Sequence, residues 1–514
     1  ASEIYERAGE IHRAGQLDSA VAEYRKALAV DCRFHPAWYS QGCAFEAKGN
    51  AVAAMACFRQ AVALAPDHRE SHHNLGKALF TLGLVDEALD SFQSSIALGG
   101  GFLPRTAVAV AIPGSPRAGN QDILAARRGW SETHLPPSPP GRQTRSPRGS
   151  DRRLRVGYLS SFFAGHNWMK PVWGLVNRHN RERVEIHLFS DAPEDQCRSG
   201  YQRHPTDHFH DISGLSNHAA ARRIQEAGLD LLVELNGYSR VERLAVAALK
   251  PAPLLAGWFG LYGTSGIAAY DYLIGDDQAI PPAEQSCYSE KVLRVPGSYL
   301  TFEVSHPVPE VTEPPGLSTG QFTFGCLASS YKLTPPVVEA WSRILSRCPA
   351  ARLFLKNSGL NCPEAREFLA QRFARCGVSP HRLIMDGPAQ HLDFLAAYRH
   401  VDLALDPFPY NGATTTMEAL WQGVPVLAFS GDRWAARQSA SILHAAGLAE
   451  FVADSVEDYV ERAIARAHAP DALPHLAEFR RGLRRHLTGA SICDTTAFAR
   501  NMEALYEGML ARKV

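Results

Sequence analysis

Three glycines, Gly15, Gly49 and Gly83, stand 34 residues apart, and other positions keep the same step. Ala20, Ala54 and Ala88 form a second set, Tyr24, Phe58 and Phe92 a third, and Ala27, Ala61 and Ser95 a fourth. A period of this length suits a pair of antiparallel helices, a unit too small to bury its apolar face alone. Such units must stack on one another. Small residues let the paired helices approach, the aromatic fills the gap, and a proline such as Pro66 stops the second helix before the next unit. Three units are about the minimum for a stable stack, so residues 1–100 are expected to form an all-helical array.

The middle unit carries the fullest pattern, Trp38, Gly42, Phe45, Ala54, Phe58, Ala61 and Pro66, and resembles the tetratricopeptide repeat. Stacked helix pairs enclose a concave groove, which suits peptide or protein binding; a spacer or dimerisation surface is the alternative. The register is lost after Gly99-Gly100-Gly101. Residues 120–134 read as one more helix, with Ile123, Leu124, Ala126 and Trp130 on one face. Residues 133–153 hold five prolines, five arginines and the single acid Asp151, the composition of an extended linker. A phosphate or nucleic-acid patch is the other reading of those arginines, but no aromatics are interleaved. Residues 101–153 are therefore expected to form a helical and Pro/Arg-rich linker.

From Leu154 onward, short apolar runs alternate with amphipathic stretches. Runs at 154–160, 184–190, 231–235, 272–274 and 291–295 form one set, and runs at 322–327, 352–356, 382–385, 403–405 and 424–429 form another. This alternation predicts parallel sheets covered by helices on both faces. The Pro-rich stretch 307–315 separates the sets. The expected fold class is α/β, with two Rossmann-like domains, 154–310 and 311–514, facing a cleft. Ligands of such open sheets bind beyond the carboxyl ends of the strands.

Composition narrows the function. Fifty-three Lys and Arg balance 53 Asp and Glu, which argues against a dedicated nucleic-acid or acidic-membrane binder, because these need a basic excess. No apolar run reaches the roughly 18 residues of a membrane span; the richest, 244–263, is broken by Lys250, Pro251 and Pro253. The first residues lack the pattern of a secretory signal. Ten cysteines without a C-x-x-C match neither a zinc site nor a disulfide framework. A cytoplasmic enzyme with reduced thiols is the expectation.

The most informative segment is Leu405-Asp406-Pro407-Phe408-Pro409-Tyr410-Asn411-Gly412-Ala413-Thr414-Thr415-Thr416-Met417-Glu418. A strand ends at a proline-studded turn and Asn411-Gly412 opens a helix. Free amides and threonine hydroxyls at its first turn suit a diphosphate. Glu418, four residues after Thr414, is placed to accept ribose hydroxyls. The same residues also describe an ordinary helix cap. Three further loops follow strands: Ser160 to His166, Asn236-Gly237-Tyr238, and Ala328 to Lys332.

Together the motifs resemble the O-GlcNAc transferase family, which includes bacterial homologues and plant O-fucosyltransferase relatives. They are Arg155-Val156-Gly157-Tyr158-Leu159-Ser160-Ser161 with His166, Asn236-Gly237-Tyr238, Pro251-Ala252-Pro253, Gly263-Thr264-Ser265-Gly266, Tyr288-Ser289-Glu290-Lys291, Tyr331-Lys332 and Asn411-Gly412-x-Thr414-Thr415. The resemblance covers nearly the whole chain. It implies an inverting, metal-independent glycosyltransferase of the GT-B type, needing no cofactor besides its donor, UDP-GlcNAc, and acting on Ser or Thr of proteins held by the repeat groove. The chain agrees in having no Asp-x-Asp. By resemblance, His166 and Lys332 are catalytic, Lys332 as the cation at the diphosphate and His166 as a base or a positioning group. Thr414, Thr415, Glu418, His391, Gly260 and Thr264 bind the donor. Asn236, Tyr238 and Asn74 serve the acceptor.

The chain also departs from the family pattern. Asn167, Lys250, Leu261-Tyr262, Ala413, Ser329 and Ala397 replace common family residues, and Glu6 and Ser40 stand where a ladder asparagine is kept only at Asn74. These losses leave another donor, GDP-fucose or UDP-glucose, as an alternative, and so too a nucleotide-sugar-binding scaffold with little turnover.

Overall fold

The structure, a computed structural model, describes residues 1–137, 152–165, 170–197 and 200–511. The repeats form three helix pairs: α1 (Ser2–Arg13) with α2 (Leu17–Val30), α3 (His35–Ala47) with α4 (Ala51–Leu64), and α5 (Arg69–Thr81) with α6 (Val85–Ala97). Gly15, Gly49 and Gly83 hold φ of 76°, 74° and 77°, so each pair turns through the same left-handed residue. The aromatic set packs as its spacing predicts. A Cβ on Gly42 would lie 2.6 Å from the Phe58 ring, and one on Gly76 would lie 2.5 Å from the Phe92 ring.

The helical part of the stretch that the sequence suggests is a linker is folded onto its neighbours. Helices α7 (Phe102–Ala111) and α8 (Asn120–His134) make a fourth hairpin against α6. Ser131 Oγ on α8 donates to the Gly266 carbonyl at 2.7 Å, and the Trp130 ring lies 5.4 Å from that of Tyr238. The Pro/Arg-rich part, 138–151, lies outside the described residues.

Two parallel sheets follow. The first is built from β1 (Leu154–Ser160), β2 (Val184–Ser190), β3 (His208–Asp211), β4 (Leu231–Glu234), β5 (Leu254–Gly257), β6 (Tyr272–Gly275) and β7 (Lys291–Arg294), in the order β3-β2-β1-β4-β5-β6-β7. The second holds β8 (Thr323–Cys326), β9 (Arg352–Lys356), β10 (Leu383–Asp386), β11 (Leu403–Leu405), β12 (Val426–Phe429) and β13 (Val452–Ala453), in the order β10-β9-β8-β11-β12-β13. Strand order reverses direction between β1 and β4, and again between β8 and β11. The loops leaving those four strands therefore open onto a crevice.

The halves are joined by buried polar contacts. Ser441 Oγ in the second half donates to Asp276 Oδ2 in the first at 2.6 Å. The last helix, Thr495–Ala511, returns to the first half, where Glu503 Oε1 lies 3.0 Å from His179 Nδ1 and the Tyr506 hydroxyl 3.0 Å from that of Tyr158. No helix among the described residues is long and apolar enough to cross a membrane.

Candidate active site

The loops from both reversal points meet around one cavity of about 530 Å³. Lys332 lies after β8. Its Nζ donates to the Asn411 carbonyl, after β11, at 2.5 Å, so one ammonium joins the two loops. The same Nζ sits 4.5 Å from the centre of the Tyr410 ring. Burial pushes Lys332 down to about 8, partly opposed by the Asp406 carboxylate. Burial lifts Asp406 to about 6, although the Gly412 amide donates to its Oδ1 at 2.8 Å.

The helix Thr414–Trp421 starts at this point. Gly412 lets the chain turn into it: a Cβ there would lie 2.5 Å from Thr415 Oγ1 and 2.7 Å from Thr416 Oγ1. Thr416 faces inward, its hydroxyl 2.7 Å from that of Ser439. Thr414 and Thr415 line the cavity instead. Amides of a first helical turn have no carbonyl one turn earlier, and they carry the positive end of the helix dipole. With Lys332 they make the second-half wall suited to an anion. One turn further, Glu418 also lines the cavity, with Oε1 3.8 Å from His391 Nε2.

On the first half, Tyr238 and Gly260 line the same space. The Tyr238 hydroxyl donates to the Ser265 carbonyl at 2.7 Å. Asn236 is fully buried behind the wall, where its Oδ1 accepts the Ser161 amide at 2.7 Å and ties the loop after β1 to the loop after β4. Thr264, expected at the donor, is also behind the wall. Its hydroxyl donates to Glu290 Oε2 at 2.8 Å, and satisfying that buried carboxylate turns it away from the cavity. Asn74 stays on the repeat array, donating to the Tyr39 hydroxyl at 3.2 Å. His166 lies outside the described residues. The cavity thus brings together Lys332, His391, Thr414, Thr415, Glu418, Tyr238 and Gly260.

Six lining residues come from outside the α/β halves: Phe80, Val110, Ala111, Pro113, Gly114 and Arg127. Phe80, on the third repeat, stacks on Tyr331 with ring centres 5.0 Å apart. Arg127, on α8, is almost fully buried, its guanidinium carbon 4.0 Å from the Tyr238 ring centre. The third repeat is fastened beside Lys332. Arg372 donates to the Leu82 carbonyl at 3.0 Å and to the Leu333 carbonyl at 2.7 Å. Away from the cavity, Glu185, His187 and His208 place three donor atoms within 4.8 Å of one another. Arg153 and Arg155 lie 3.3 Å from the Glu185 carboxylate, so two cations already hold the group that a metal would require.

Residues 137–313 and 313–502 match the model of glycosyl transferase family 41. The chain belongs to that family. Residues 12–68 and 39–101 match the tetratricopeptide repeat. This family 41 chain is similar over 99% of its length to a mutant O-GlcNAc transferase of Thermobaculum terrenum, covering 96% of that chain with a TM-score of 0.82 and 29% identity. It is 30% identical over 395 residues to the probable UDP-N-acetylglucosamine–peptide N-acetylglucosaminyltransferase SPINDLY of Solanum lycopersicum, covering 76% of this chain and 42% of that protein. It is also 30% identical over 403 residues to the probable UDP-N-acetylglucosamine–peptide N-acetylglucosaminyltransferase SEC of Arabidopsis thaliana, covering 76% and 40%. The chain therefore spans about two fifths of the length of the curated relatives it matches.

Proposed function

We propose that this chain transfers N-acetylglucosamine from UDP-GlcNAc to Ser or Thr hydroxyls of proteins, with inversion at the anomeric carbon and without a metal ion. The observation that carries this reading is the convergence of Lys332 with the first turn of the helix Thr414–Trp421 in one cavity between the halves. A hydroxyl oxygen attacks the anomeric carbon while the opposite bond to the diphosphate breaks. UDP leaves with that electron pair and the hydroxyl proton is released. Charge growing on the diphosphate is met by a buried ammonium and aligned amides, which act strongly where water is scarce.

The remaining residues take roles consistent with their places. Glu418 and His391 serve the nucleoside, Gly260 lies by the sugar, and Tyr238 and Asn236 shape the acceptor side, directly and from behind. His166 is assigned beside the reacting carbon on its motif alone. The repeat groove, with Asn74, takes the acceptor protein. The tomato and Arabidopsis relatives, named as probable UDP-N-acetylglucosamine–peptide N-acetylglucosaminyltransferases, support this donor and acceptor class.

Calorimetric titration with UDP, GDP, UDP-GlcNAc, UDP-glucose and GDP-fucose tests the reading. UDP and UDP-GlcNAc are expected to bind, and sugar transfer to peptide to follow. Preference for GDP-fucose or UDP-glucose would overturn the donor, and tight UDP-GlcNAc binding without transfer would overturn the enzyme.

A further inference from the structure

The loop that follows β5 is held in a costly shape. Phe259 and Tyr262 both adopt left-handed backbone, with φ of 67° and 51°, and each such residue with a Cβ costs about 1–2 kcal/mol. A loop of this kind persists only where its surroundings dictate it. On one side the fit is steric: a Cβ on Gly260 would lie 2.3 Å from the Leu235 carbonyl oxygen and 2.7 Å from that of Asn236. On the other side stands Arg127. Its Nη1 donates to the Leu261 carbonyl at 3.0 Å and the Thr264 carbonyl at 2.7 Å, while Nε donates to the Ala109 carbonyl at 3.1 Å. One planar guanidinium thus grips the loop on both sides of Tyr262 and anchors it to α7.

Arg127 is 2% exposed and forms no ion pair among the described residues. Removing a guanidinium from water without a carboxylate is expensive, and anchoring α8 does not require it. Ser131 already bonds the Gly266 carbonyl, and Asn120 Nδ2 bonds Glu284 Oε2 at 3.1 Å. The work left for Arg127 is the shape of residues 259–264, of which Phe259, Gly260, Leu261 and Tyr262 line the cavity.

We propose that Arg127 is a positioning residue for the sugar end of the donor, holding the strained loop 259–264 in the form that closes on the sugar. The sugar assignment rests on the donor reading above; the clamp itself does not. Two variants of the full chain test it, Arg127→Met and Arg127→Lys. Lysine keeps the charge but offers one nitrogen where arginine uses two, Nη1 for the loop carbonyls and Nε for the Ala109 carbonyl on α7, so both variants are expected to behave alike. Amide exchange without ligand should accelerate in residues 254–266 and stay unchanged in the repeats. UDP affinity should stay within about twofold, because Lys332 and the threonines hold the diphosphate, while UDP-GlcNAc affinity falls about tenfold.

Unchanged exchange in the loop would overturn the clamp whatever the donor is. Equal loss of UDP and UDP-GlcNAc affinity, or a lysine variant with wild-type affinity and exchange, would overturn the positioning role. If the wild-type chain binds neither nucleotide, the donor reading fails, and the exchange measurement still decides the clamp.

Discussion

Replacing Lys332 with methionine should move stability and activity in opposite directions. Burial takes the ammonium from its ordinary 10.5 down to about 8. At neutral pH the group is charged in both the folded and the unfolded chain, so the folded state bears the cost of keeping it charged. At 1.36 kcal/mol per pKa unit this is about 3 kcal/mol. Methionine has a similar reach and no charge, so Lys332→Met removes that cost. It also gives up the hydrogen bond to the Asn411 carbonyl, worth about 1 kcal/mol. The ligand-free variant is expected to be more stable by about 1–2 kcal/mol, which raises the melting temperature by a few degrees. Turnover should fall about 10²-fold or more, the scale of losing one charge-stabilising donor, with UDP affinity falling as well. Scanning calorimetry, UDP titration and a transfer assay on one preparation measure all three. A variant that melts earlier than the wild type would make Lys332 a structural cation, and one with near-normal transfer would remove it from the mechanism.

The same ammonium sets a pH dependence. Between about pH 8 and 10.5 the folded Lys332 has lost its proton while the unfolded one keeps it, so the stability gap to Lys332→Met should close as pH rises through that window. UDP affinity should fall by up to about tenfold per pH unit above 8, and a flat titration series from pH 7 to 10 would contradict both statements. For the loop, Gly260→Ala should cost about 1–3 kcal/mol and weaken sugar-nucleotide binding, because the added carbon meets two backbone oxygens that cannot swing aside. Gly129→Ala, where nothing lies within 4 Å, is the control and should leave melting unchanged or raise it. Equal melting shifts for the two would refute the steric argument.

The readable parts of the fold were those with a strict period. The 34-residue step located every helix pair of the array, and the apolar runs located ten of the strands, because a strand buried on both faces needs an unbroken apolar run. Three strands fall outside those runs: β13 is only Val452-Ala453, too short to show a pattern. β3 is His208-Phe209-His210-Asp211 at the sheet edge, where one side meets water. β5 begins directly behind Pro251 and Pro253, which read as breakers. In the site, residues fixed by one helix turn, Thr414, Thr415 and Glu418, share the cavity side of their helix, because spacing along a helix dictates a face. The direction of Thr264 is not legible in this way, because which way a loop side chain turns depends on a carboxylate 26 residues away.

Two lining residues did leave traces. Phe80 occupies the repeat position held by His12 and Glu46 in the other units, and an aromatic at an otherwise polar position marks a surface that is covered. Arg127 falls four residues after Ile123 and three before Trp130, a charge placed within an apolar stripe.

The seating of Phe80 on Tyr331, with Arg372 bridging the Leu82 and Leu333 carbonyls, gives the helical array a fixed origin. Units gained or lost at its outer end would change how far the groove reaches and leave the cavity wall intact. Its innermost unit cannot be exchanged without rebuilding that wall. Distance along the array is therefore counted from the cavity in steps of one repeat, as on a ruler whose zero is set into the α/β body, and not by the slack of a tether.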